Sequence, residues 1–350
     1  VTGVIHKIGW RGLPSIALSY GERADCRGWL VGEPHRGLDY MFQMMNEARI
    51  GIGLGAAAIA YQGYNHSLAY ARQRPQGRLA SNKDPRSPQI LLVKHADVRR
   101  LLLAQKAYAE GGLAMCLFAS ALFEDQRTAP DPEQRLRAGL LLDLLTPIVK
   151  SWPSKYGCVA NDMAIQVLGG YGYVREYEVE RLYRDQRLNP IHEGAEAIHG
   201  LDLLGRKVPM KDRIGYRIFK EEVARDLAVA DTLTATREFI APLTKALALL
   251  DQTTQALLAQ VAEDVDKGMA NATLYLDMFG RVVAAWIWLK QANKAAQGLT
   301  WGTAGDTNFY CGKLHATRYY FDWELPQITA QAELLNGANS VPFAMQDEWF

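Results

Sequence analysis

Between Asn189 and Gly200 the chain reads NPIHEGAEAIHG, with two histidines and two glutamates inside eight positions. Three chemistries suit those residue types. On a continuous helix, positions four and seven apart share a face, so His192, Glu196 and His199 would line up as zinc ligands do. Against this, Gly194 interrupts the stretch, and Pro190 suits the first turn of a helix better than its middle. The second reading is structural: carboxylates in a first helical turn, where the macrodipole favours negative charge. The third makes Glu193 a general base at a loop-to-helix junction. Such a base needs partial burial to lift its pKa toward working pH, and Leu188, Pro190, Ile191 and Ile198 are apolar neighbours. Spacing alone leaves all three open.

Two glycine motifs stand upstream. QVLGGYGY, residues 166 to 173, holds paired glycines that offer bare N–H groups to a phosphate or a ring, or simply cap a helix. GIGLGA, residues 51 to 56, fits the G-x-G-x-x-A pattern. Dinucleotide binding by that pattern requires a strand before the first glycine. Helical spacing already precedes Gly51, so the motif reads as a smooth helix face against which a neighbour packs. No P-loop and no G-x-S-x-G nucleophile elbow occurs.

The elements that must hold these residues follow from periodicity and punctuation. Residues 1 to 33 contain short β-type runs, VTGVIHKIGW, PSIALSY and GWLVGE, and read as the tail of a β-domain. From Pro34 the pattern turns helical: Met41, Met44, Met45, Ala48, Ile52 and Leu54 predict a long helix running to about Arg74. PQGRLASNKDPRSPQ is an exposed loop. A second helix follows from His95, then a third from about Asp131, with a fourth expected after Pro153. The YGYVREYEVERLYRDQ segment reads as a turn and a short charged helix. A further helical region spans 216–350, where Tyr275, Phe279, Val282, Trp286 and Leu289 form one apolar stripe, read as core rather than a membrane face.

Composition bounds the class. With 350 residues, 49% hydrophobic, the chain can bury a full core in two or more domains. A net charge of +1 supplies no field for nucleic acid, and none is expected as a partner. The four cysteines are scattered without a CxxC pair, which suits a reducing compartment. The expected setting is cytoplasmic, with a peripheral place at a membrane left open. The first residues carry no basic-then-apolar leader, and the chain reads as one entered in its middle.

Taken in order, GWLVGEPHRGLDYMFQMMNEARIGIG, YARQRPQGR, QVLGGYGYVREYEVERLYRDQRLNPIHEGAEAIHG and LDLLGRKV resemble the acyl-CoA dehydrogenase family. The likeness covers residues 1 to 208, with 216–350 similar to the extra helical domain of the long bacterial branch that includes methylmercaptopropionyl-CoA dehydrogenases. It implies a mainly α fold: a remnant of the middle β-domain (1–33), a four-helix bundle with the catalytic loop (34–208) and a second helical domain (216–350). It also implies FAD-dependent α,β-dehydrogenation of an acyl-CoA to a trans-2-enoyl-CoA, with electrons passing to electron-transfer flavoprotein.

By the same resemblance Glu193 is the base that removes the pro-R α-proton, and its backbone N–H holds the thioester oxygen. Arg74 and Gln76 match the segment that reaches the FAD of a partner subunit, so a homodimer or larger assembly is implied. Gln166, Gly169 and Gly170 match a further FAD segment. Arg49, Arg184, Asp185 and Gly194 match positions near the substrate. No metal is implied. Four departures stand out: Gly194-Ala195 replaces Gly-Thr, whose hydroxyl bonds the flavin; His199 replaces a Gln; Gly77-Arg78 replaces an aromatic; and Leu13 and Ser15 replace a Ser and a Thr. The family's N-terminal helical domain and most of its β-domain have no counterpart here, which points to the C-terminal portion of such an enzyme or to a second chain completing it. The rival readings are a non-catalytic relative (an assembly subunit or the alkylation-response type), an acyl-CoA oxidase and a metalloenzyme.

Overall fold

Helix α1, Gly37–Gln73, opens three residues after Pro34 and stops where it must. Arg74 precedes Pro75 and has ψ 112°, because the proline ring disfavours helical backbone one residue before it. The computed structural model describes residues 1–301 and 306–350. Helix α2 spans Ala96–Thr128 and α3 spans Pro132–Leu168. At the start of α3 the Asp131 side chain accepts the Glu133 N–H and Pro132 stands in the first turn, where its missing N–H costs nothing. Gly169, at φ +61°, ends it.

The three long helices pack through small residues. Gly53 abuts the Val149 carbonyl, Gly63 the Asn161 side chain, and Gly112 lies against Ala57 and Pro153. Of the GIGLGA glycines Gly53 is the one that packs: a Cβ there would collide with α3, whereas Gly51 and Gly55 face open space. The expected break after Pro153 does not occur, and α3 is one helix containing Pro147 and Pro153. A proline at 153 frees the carbonyl four residues back. That carbonyl, on Val149, meets the Cys116 thiol of α2 at 3.9 Å, and Ser154 Oγ caps the Lys150 carbonyl at 2.6 Å. Neighbouring groups thus serve the backbone that the prolines disturb.

Ahead of α1, strand β1 (Gly3–Ile5) pairs antiparallel with β2 (Ser15–Ala17), Val4 opposite Ile16. GWLVGE, expected as a strand, is exposed coil: among the described residues no third strand pairs with it, and an unpaired strand is not stable in water.

After α3 come a tight turn at Gly169–Tyr173, α4 (Val179–Gln186) and α5 (Glu196–Asp202). The region beyond contains α6 (Met210–Asp231), α7 (Ile240–Glu263), the short α8 (Val265–Met269), α9 (Ala272–Trp301), α10 (Thr307–Tyr319), α11 (Ile328–Asn336) and α12 (Val341–Ala344). The join falls at Lys211, Asp212 and Arg213, three consecutive residues at φ +48° to +62°. Packing is nonetheless continuous across it. One apolar cluster includes Leu142 and Leu145 of α3, Phe219 of α6 and Trp286 of α9. Tyr275, Phe279, Val282, Trp286 and Leu289 are all fully buried, so the stripe on α9 is core. Trp288 donates its indole N–H to the Ala107 carbonyl of α2 at 3.1 Å, against Gly111.

Candidate active site

The His192/Glu196/His199 face does not form. Helix α5 begins only at Glu196, and Glu193 (φ +54°) and Gly194 (φ +101°) turn the chain before it. His192 faces Asn189 Oδ1 at 3.3 Å instead. The motif is a left-handed elbow followed by a short helix, with the Glu193 carboxylate at its exposed tip. Left-handed backbone costs a non-glycine residue about 1 kcal/mol, so something must hold this elbow.

Lys150 does much of that. It is fully buried on α3, and its Nζ donates to the Gly194 carbonyl at 2.6 Å. Burial, then the Arg49 charge, lowers its pKa to about 8, while Glu193 and Glu196 oppose them. His199 closes the elbow from behind. A Cβ on Gly194 would sit 2.9 Å from His199 Nε2, so only glycine fits between them. His199 is fully buried, with the Glu193 backbone beside its ring. Burial, with Arg49 and Lys150 nearby, drops its pKa to about 4, so the ring is neutral at pH 7. His192 is pushed down as well, by burial and by Lys150.

Arg49, expected near the substrate, is buried and donates to Asp202 Oδ2 at 3.4 Å. Asp202 also accepts Arg206 Nε at 2.7 Å. Arg49 therefore ties α1 to the far end of α5, and its own Nε has no partner among the described residues. Ala195 caps α5 without a side-chain oxygen and accepts the His199 N–H on its carbonyl at 3.2 Å.

Arg184 and Asp185 hold the N-terminal segment. Asp185 Oδ1 accepts the Trp10 N–H at 2.6 Å and its carbonyl accepts the Trp10 indole at 2.7 Å. Arg184 donates to the Ile8 carbonyl at 3.0 Å and to both oxygens of Glu180, whose pKa falls for that reason. Gly9 between them lies so close that a Cβ would sit 2.6 Å from the Arg184 carbonyl.

Arg74, Gln166, Gly169 and Gly170 gather at the opposite end of the bundle. The Arg74 guanidinium lies 5.5 Å above the Tyr171 ring, in a cluster with Tyr70 and Tyr177. Arg74, Gln166, Gly169 and Gly170 are exposed, and no atom stands within 4 Å of a Cβ built on either glycine. Gln76 is fixed beside them by its main chain, donating to Ile90 and accepting from His95 Nε2 at 2.8 Å. From Lys150 to the end of α3 at Leu168 the helix rises about 27 Å, which separates this end from the elbow's anchor.

Two family models match, one described as acyl-CoA dehydrogenase, C-terminal domain, over residues 35–208, and one as acetyl-CoA dehydrogenase C-terminal like, over 219–346. The chain belongs to the acyl-CoA dehydrogenase family. Among acyl-CoA dehydrogenases it is 32% identical to the 3-methylmercaptopropionyl-CoA dehydrogenase of Ruegeria pomeroyi, over 93% of this chain and 54% of that protein. The fold is that of the Caenorhabditis elegans ACDH-11 complex with C11-CoA (TM-score 0.71, 17% identity, 98% of this chain and 54% of that one). It is also that of a Bacillus anthracis acyl-CoA dehydrogenase complexed with FAD (TM-score 0.68, 21% identity, 87% and 50%). The chain spans about half the length of the curated relatives it matches.

Lys150 is the residue of the site that motif reading passes over. Its signal in the sequence is a lone lysine in LLDLLTPIVKSWP, on a face otherwise made of Leu142, Thr146 and Val149. A charge embedded in an apolar helix face must find a partner inside the protein.

Proposed function

We propose that this chain carries the catalytic loop of an FAD-dependent acyl-CoA dehydrogenase, with Glu193 as the general base. The supporting observation is the elbow itself: a carboxylate at the exposed tip of a left-handed turn whose carbonyl is gripped by a buried lysine. A base must be aimed at one proton, and a loop fixed from beneath aims it. Glu193 takes the α-proton of the acyl thioester, and its main-chain N–H holds the thioester oxygen as negative charge develops there. The β-carbon loses hydride and a trans-2-enoyl-CoA is formed. FAD, when bound, supplies the hydride acceptor, and electron-transfer flavoprotein receives the electrons. A covering surface over the exposed Ile191 and Ile198 would give the carboxylate the apolar surroundings a base of this kind requires.

The donor chemistry at the other end of the bundle fits the cofactor. Arg74 is an exposed guanidinium over the Tyr171 ring, suited to a diphosphate, and Gly169 and Gly170 leave their backbone open to close approach. The likeness of the Arg74 segment to the family's supports a reading in which Arg74 reaches the FAD of a partner subunit, in a homodimer or larger assembly. Two structures of the same fold support the ligand classes: FAD is bound in that from Bacillus anthracis and C11-CoA in ACDH-11. Substituting Glu193 with Gln tests the reading: FAD binding is retained and dehydrogenation is lost.

A further inference from the structure

Beneath the Glu193 loop, two regions of the chain meet on one lysine. Lys155 Nζ lies 3.2 Å from Glu196 Oε1, at the first residue of α5, and 3.0 Å from Asp277 Oδ1 on α9. Burial works against the Lys155 charge, but Asp277 and Glu196 outweigh it and its pKa is raised, so the bridge is charged at neutral pH. Asp277 is buried and fully engaged. It accepts from Tyr156 Oη at 2.9 Å, Gln331 Nε2 at 2.6 Å and Arg281 Nε at 3.4 Å, and Arg281 passes on to Glu324 at 3.0 Å. The anchor is therefore rigid on the α9 side and reaches α5 through Lys155.

A second contact fixes the same pair of helices. Gly200 of α5 lies directly on the start of α9. A Cβ there would stand 2.8 Å from the Ala272 carbonyl carbon and oxygen and from the Thr273 nitrogen. Those are backbone atoms at the head of a helix and have no room to yield.

We infer that α9 is the seat of the catalytic loop: the Lys155 bridge and the Gly200–Ala272 contact set where α5 begins, and so set the place of Glu193 three residues earlier. Lys155 and Asp277 are positioning residues. The consequence for turnover rests on the reading of Glu193 as base, but the anchoring does not. The region beyond residue 216, which carries no residue of the elbow, thereby contributes to the site from below.

The test is hydrogen exchange at the amides of Ile191 and His192, which both donate to the Leu188 carbonyl, and of His199, which donates to Ala195. Lys155→Met leaves Asp277 its three other partners and so leaves the α9 network folded. Exchange at the three amides should rise about three- to tenfold in Lys155→Met and in Gly200→Ala, with α1 and α3 amides unchanged. Lys155→Arg should restore protection, and kcat should fall in the first two variants with KM little altered. Unchanged exchange in both Lys155→Met and Gly200→Ala overturns the inference. Should Glu193→Gln instead retain turnover, the base assignment fails, while the exchange result still decides the anchor.

Discussion

Lys150 Nζ donates to the Gly194 carbonyl at 2.6 Å, and this bond joins the middle of α3 to the residue after the proposed base. Lys150→Met would leave that carbonyl without its charged donor. Loss of a hydrogen bond to a charged group costs about 1.5–3 kcal/mol, so the elbow should relax. The expected result is a fall in kcat of about tenfold or more with a smaller change in KM, read by steady-state kinetics with an acyl-CoA.

His199 makes the site sensitive to acid. Its pKa is about 4 when folded against about 6.5 unfolded. Between those values the unfolded chain binds the extra proton, so stability is full above pH 6.5 and falls as pH drops toward 4. The loss from this residue amounts to about 3 kcal/mol. His199→Gln removes it: the stability difference between variant and wild type should shift by that amount in the variant's favour from pH 7 to pH 4. Urea unfolding at a series of pH values measures it.

Arg74 is exposed and its guanidinium lies over Tyr171, so Arg74→Ala should leave the fold intact. FAD affinity should weaken about tenfold, equivalent to about 1.4 kcal/mol, as measured by quenching of flavin fluorescence. Unchanged affinity would remove the Arg74 end from the cofactor site.

Asp185 holds the N-terminal segment through its side chain as well as its carbonyl. Asp185→Ala removes the 2.6 Å bond to the Trp10 N–H and leaves that group unpaired, at a cost of about 1–3 kcal/mol. Trypsin should then cut at Lys7 or Arg11 sooner than in the wild type while the helical core stays resistant. Equal cleavage rates would show that packing of Trp10 and Gly9 alone secures the segment.

Much of this was legible beforehand because punctuation is local. Pro34 and the Arg74-Pro75 pair bound α1, and the Asp131-Pro132 pair opens α3, without reference to anything distant. The strings around Glu193, Arg74 and the 169–170 glycines carried the likeness to the family. What could not be read depends on partners far along the chain. Pro153 suggested a break because the Cys116 thiol that meets the freed Val149 carbonyl lies on another helix. GWLVGE looked like a strand because its pattern carries no information on whether a neighbour pairs with it. Arg49, Arg184 and Asp185 meet Asp202, Ile8 and Trp10, partners that no local spacing announces. Lys155 is 122 positions from Asp277, and no spacing rule links them.

The central claim is that Glu193 abstracts a proton from an acyl-CoA so that hydride can leave for FAD. The most direct measurement is the visible spectrum of the purified, FAD-loaded protein, recorded anaerobically before and after addition of a mid-length acyl-CoA, for the wild type and for Glu193→Gln. The account predicts a flavin band that bleaches in the wild type and persists in the variant, with a bleaching rate lowered at least about 10²–10⁴-fold. A band that bleaches equally in both, or in neither, would contradict it.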